Sequence, residues 1–140
     1  MPQTYLEAVR KPNQSVNPLL AFLGMIVNEV DKDRAMLTLP TRPELIQGVG
    51  VVGGGILATL IDETMAHAIL GGNKSGERTT TIDMNISYLR AVKAGEQLSC
   101  EARVAKRGSR VIFVEAIART GDREVARGTG TFLAISPCSR

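Results

Sequence analysis

The sequence predicts an α+β fold, an antiparallel sheet wrapped around one long central helix. Three observations point there. The segment from Gly54 to Leu70 is apolar on nearly every side, the character of an enclosed helix. Two strand-like runs precede it and four follow it, rich in β-branched residues and alternating in polarity. The chain of 140 residues suits one core, so 1–140 reads as a single domain.

In chain order, residues 4–10 read as a short amphipathic helix and "KPNQSVNP" as a loop with two prolines. "LLAFLGMIVNEVD" passes from an apolar segment into a strand ending near Val30. "DKDR" is a polar turn and "AMLTLP" a second strand. "TRPELIQGVGVVGG" is long for a connection in a small domain, and long connections are often functional. The helix follows, and "GGNKSGER" closes it with a glycine stop signal. The last four strands are "TTTIDMNISYLR", "EQLSCEARVAKRG", "RVIFVEAIART" and "REVARGTGTFLAI". "AVKAG", "RGS" and "TGD" join them and are short enough for hairpins or tight corners. Such a sheet has one face to bury, and a single apolar helix covers it.

Composition narrows the function classes. No apolar run is long enough to cross a bilayer, and the N-terminus lacks the features of a signal peptide. Cys100 and Cys138 form neither a disulfide framework nor a metal-ligand spacing, and Cys138 sits in a tail expected to fray. A reduced, cytoplasmic protein is expected. The net charge of +3 is too small, and the cations too scattered, for a nucleic-acid binder. A small anionic ligand stays compatible with it.

The chemistry concentrates around the helix. Asp62 has Ala58, Thr59, Met65 and Ala66 one turn away, none of them cationic. It is either a structural carboxylate bonded to a loop or a working acid. Glu63 lies four residues before His67, spacing for a local ion pair or hydrogen bond. The run Gly53, Gly54 and Gly55 stands where a helix begins, and the first N–H groups of a helix lack intrahelical partners. Bare glycines let a carbonyl oxygen approach those groups, and the helix dipole favours negative charge there. Those are the parts of an oxyanion hole, with Asp62 about two turns further on. Close packing of the loop against the sheet would also call for glycine.

This combination resembles the hotdog-fold acyl-CoA thioesterases, the group that includes phenylacetyl-CoA and 4-hydroxybenzoyl-CoA thioesterases. That group shows His-Gly-Gly, an apolar helix, and an Asp or Glu nine residues after the His. "GGGILATLID" matches at Gly54, Gly55 and Asp62, and "DMNISYLR" followed by "GEQL" matches the group's strand segment. The resemblance runs from about Leu23 to Ala134. It implies hydrolysis of an acyl-CoA thioester to acid and free coenzyme A, with no cofactor and no metal. Asp62 takes the place of the catalytic base or nucleophile, and Gly54 that of the N–H that polarises the thioester carbonyl. Gln47 falls near the nucleophilic water, and Thr81 near an assisting hydroxyl supplied across a dimer interface. Gly53 and Gly55 are further candidates for binding the substrate. Arg90, Lys93, Arg107 and Arg110 are candidates for the phosphates of coenzyme A, with ordinary surface charge an equal reading for each. The departure is Gly53, which stands where the group has His, and His67 is badly placed to replace it. A homodimer with a continuous sheet, or a homotetramer of two such dimers, is expected because a lone sheet leaves an edge unpaired. Two rivals stay open: a dehydratase or hydratase of the same fold, and a non-catalytic binder of acyl-CoA or fatty-acyl groups.

Overall fold

The computed structural model describes residues 2–136, so Cys138 lies outside the described residues. The chain starts with α1 (Pro2–Val9). "PLLAFL" is helical rather than an undivided approach to a strand. The Asn17 side chain accepts from the Leu20 N–H, Pro18 opens the first turn, and Gly24 ends α2 (Pro18–Leu23) at φ 80°. β1 (Ile26–Asp31) and β2 (Arg34–Pro40) form a hairpin through Lys32 and Asp33. After a 3-10 turn at Pro43–Leu45, an Ile46–Val52 bridge closes a tight loop ahead of α3 (Gly54–Gly72). Then come β3 (Arg78–Tyr88), β4 (Gln97–Arg107), β5 (Val111–Thr120) and β6 (Arg123–Ile135).

The six strands form one antiparallel sheet in the order β1-β2-β4-β5-β6-β3. This corrects the reading of "AVKAG" as a hairpin or corner between neighbouring strands. β3 pairs with β6 at the far edge, while β4 pairs with β2 and β5. Residues 89–96 therefore cross the end of the sheet. They are held there by Leu89 N–H to Val125 O at 2.8 Å and Val52 N–H to Val92 O at 2.7 Å. That crossing lays Tyr88 to Val92 beside the start of α3.

The sheet wraps α3 because its middle is small. Buried Ala116, Ala118 and Ala126 lie with Gly128 and Gly130 under the helix. A Cβ at Gly128 would come within 2.9 Å of Ile61, and one at Gly130 within 2.9 Å of Met65. Larger core residues close the rest, among them Leu37, Leu39, Leu60, Leu98, Ile112 and Phe132. The Cys100 thiol is buried in this layer, and desolvation pushes it up to about 12. It stays protonated and inert.

α3 also runs on through Gly71 and Gly72 to a C-cap at Asn73, so these glycines do not stop it. They are glycine for space. A Cβ at Gly71 would collide with the Asp31 carbonyl oxygen, and one at Gly72 with the Asp33 carboxylate. No helix among the described residues is long and apolar enough to cross a membrane.

Candidate active site

The start of α3 carries the first half of the site. Gly53 is its N-cap, with no side-chain capping bond. The Gly53 N–H donates to Leu45 O at 3.1 Å, while the Gly54 and Gly55 N–H groups find no acceptor among the described residues. Both residues are exposed. Gln47 holds the preceding loop. Its N–H donates to Val51 O at 2.8 Å, and its side-chain oxygen accepts from the Val49 N–H at 2.5 Å. A cavity of about 350 Å³ opens here, lined by Gln47, Gly54, Leu57, Tyr88, Arg90 and neighbouring residues. Tyr88 is the residue that sequence reasoning missed. Its hydroxyl donates to the Gly54 carbonyl oxygen at 2.7 Å. The only sequence signal for it was its place in "DMNISYLR".

The second half lies further along α3. Asp62 is half-buried rather than enclosed, and it faces the edge strand β3. Thr81 Oγ1 donates to Asp62 Oδ1 at 2.9 Å. Both residues belong to the same chain, so the Thr81 hydroxyl reaches Asp62 without crossing a dimer interface, which differs from the expectation. The cause is a bulge in β3 between Thr81 and Asp83. The bulge shifts the pleat by one residue, so that Thr81 before it and Tyr88 after it both reach α3.

The cations divide. The Arg90 guanidinium lines the cavity and donates to Glu124 O at 2.8 Å. Lys93 is exposed on the same crossing segment, and its backbone N–H donates to Glu96 Oε1 at 2.7 Å. For Arg107, of the two readings left open by the sequence, its hydrogen bonds favour the structural one. It lies at the opposite end of α3 and is bonded to Asp33 at 2.7 Å, Asn73 at 2.7 Å and Ile69 O at 2.8 Å. It ties down the helix C-terminus. Arg110 is exposed in the β4–β5 turn at that same far end.

His67 is 2% exposed. Its Nδ1 donates to the Glu63 carbonyl oxygen at 2.7 Å, and its Nε2 accepts from the Tyr5 hydroxyl at 2.9 Å. The Glu63 contact is thus through the backbone, not an ion pair. Asn17 Nδ2 donates to the same Tyr5 oxygen at 2.9 Å, which pins α1 and α2 to α3. Burial lowers the His67 pKa, and burial with the nearby Asp62 charge raises that of Glu63. A neutral imidazole walled in this way is not available as a catalytic base. Among the described residues no three His, Cys, Asp or Glu side chains converge as metal ligands. Hollows of about 270 Å³ on the outer sheet face and about 440 Å³ beside α1 and α2 lie away from both Gly54 and Asp62.

A six-stranded antiparallel sheet curled around one helix, with bare N–H groups at the helix start and a half-buried carboxylate further along it bonded to the edge strand, defines a hotdog-fold protein. The family profile of the Thioesterase superfamily matches residues 49–127, more than half of the chain. A Halobacterium salinarum protein provisionally named an esterase is 36% identical, over 81% of this chain and 82% of its own. Human acyl-coenzyme A thioesterase 13 is 28% identical over 70% of this chain and 71% of its own. Among solved structures, a phenylacetic acid degradation-related protein of Ralstonia eutropha, provisionally named a thioesterase, superposes with a TM-score of 0.83. It is 25% identical and is matched over 92% of this chain and 98% of its own. A conserved protein of Pseudomonas aeruginosa superposes with a TM-score of 0.82 at 33% identity, over 86% and 95% of the two chains. The chain belongs to the thioesterase superfamily.

Proposed function

We propose that the protein hydrolyses an acyl-CoA thioester to the free acid and coenzyme A. The observation that carries this reading is the pair of N–H groups at Gly54 and Gly55 without an acceptor among the described residues, at a helix start where Gly54 lines a cavity. The thioester carbonyl oxygen binds there, and its developing negative charge is stabilised by fixed donors and the helix dipole. One such donor is worth ~10²–10³-fold in rate. Asp62, oriented by Thr81, activates water or attacks the carbonyl carbon, and coenzyme A leaves as the thiol. General-base help of this kind contributes ~10²–10⁴-fold. Arg90 and Lys93 stand at the same helix end as Gly54 and are the better candidates for the coenzyme A phosphates.

Asp62 is eight residues along α3 from Gly54, about 12 Å at ~1.5 Å per residue. A directly attacking carboxylate on the same chain does not bridge that spacing. It favours a site shared by two chains, with Asp62 and Thr81 of one facing Gly54 and Gly55 of the other. β3 supports the same reading, since it is a long sheet edge with Ile82 53% exposed. A homodimer, or a homotetramer of two such dimers, follows.

The test is thiol release from a panel of aryl- and fatty-acyl-CoAs. Turnover of at least one class is expected. A second reading is favoured by Gly53, which lacks the imidazole of the group: a binder of acyl-CoA that turns nothing over. Measurable affinity with no thiol release from any thioester establishes that reading instead.

A further inference from the structure

The first turn of α3 is poorly held by its own sequence. Three glycines in a row have the largest backbone entropy to lose. Gly53 provides no capping side chain. Donors that stabilise a transition state must nevertheless be fixed before the reaction, or they lose their advantage over water. A contact from outside the helix adds to the intrahelical bonds that hold this turn.

Tyr88 is placed to do so. Its hydroxyl donates to the Gly54 carbonyl oxygen at 2.7 Å, and its ring lies 3.5 Å from where a Gly54 Cβ would stand. Among the described residues no other side chain outside α3 bonds to its first turn. The Gly54 carbonyl and the Gly55 N–H belong to one planar peptide unit. Fixing the carbonyl therefore fixes the direction of the Gly55 N–H, and drawing electron density to the oxygen makes that N–H a stronger donor. Tyr88 is half-exposed; the β3 bulge sets the phase that turns it toward α3, and its backbone is anchored where Leu89 N–H donates to Val125 O at 2.8 Å.

We propose that Tyr88 is a positioning residue, which aims the Gly55 N–H as the second donor to the thioester oxyanion beside Gly54. It acts through one peptide plane. This rests on the hydrolase reading above and adds a residue to it.

The experiment compares wild type with Tyr88→Phe, which keeps the ring and removes the hydroxyl. The amide order parameters of Gly54 and Gly55 are measured by NMR, beside kcat and KM for an acyl-CoA that the wild type turns over. The expected result is a fall from ~0.85 to below ~0.6 in the Gly55 order parameter. With it comes a kcat loss of about 10-fold to 100-fold, at a KM within about two-fold and an unchanged melting temperature, as for a donor misaimed rather than deleted. Unchanged order at Gly55 overturns the proposal whatever the activity. Altered order with unchanged kcat overturns the coupling to catalysis. Absence of turnover in the wild type strikes the hydrolase reading, and the order parameters still decide whether Tyr88 holds the peptide.

Discussion

Thr81 gives the Asp62 carboxylate its one side-chain hydrogen bond among the described residues. A carboxylate with a single neutral donor is held in direction without being neutralised. Thr81→Val keeps the shape and removes the donor. It is expected to lower kcat by about 10-fold, at a cost of roughly 0.5–1.5 kcal/mol in stability. Steady-state kinetics with a melting curve checks this, and an unchanged kcat removes Thr81 from the site. His67 makes a different prediction. Its folded pKa lies below the ordinary 6.5, because burial disfavours the charged ring. The unfolded chain therefore binds the proton first as the pH falls. The contribution of His67 is intact above about 6.5 and is lost progressively below it. Chemical denaturation from pH 7.5 to 5.5 should show wild type losing stability, with a shallower loss in His67→Gln. Parallel curves for the two proteins contradict this account of the Tyr5–His67 contact.

At the scale of elements, α3 shows how far the sequence reading reaches. The apolar pattern places the helix and its start, because enclosure needs apolar residues on most sides and Gly53–Gly55 interrupt nothing that precedes them. The end is misread, because Gly71 and Gly72 look like a stop while their cause lies in β1 and the Lys32–Asp33 turn, distant in sequence. Ala normally stabilises a helix interior by about 1 kcal/mol over Gly. Here Gly71→Ala is expected to destabilise by about 1–3 kcal/mol, since its methyl meets a backbone carbonyl that cannot swing away. Thermal denaturation gives the sign directly. The site is legible in the same uneven way. Gly54 and Asp62 stand on one element and follow from local spacing. The partnership of Thr81 and Tyr88 with α3 depends on a β-bulge, and the separation of Arg107 from the cavity depends on which strands pair. Neither leaves a periodic trace in the sequence.

For the whole molecule, β3 is the feature with the largest consequence. It is an 11-residue edge with most of its side chains exposed, and the proposed site is complete only when a second chain brings Asp62 to the glycine turn. Ile82→Lys places a charge on that edge, a device by which edges resist pairing. It is expected to shift the assembly to monomer by sedimentation and to cost more than about 10-fold in turnover, although Asp62 and Gly54 are untouched. A monomeric wild type with full activity would remove the need for a shared site. The central claim, that the glycine turn and Asp62 together form a thioester hydrolase, is tested most directly by Asp62→Asn. kcat and acyl-CoA affinity are to be measured on the same preparation. The account predicts thiol release reduced by ~10²–10⁴-fold with affinity within about two-fold of wild type. Turnover that survives the substitution unchanged contradicts it.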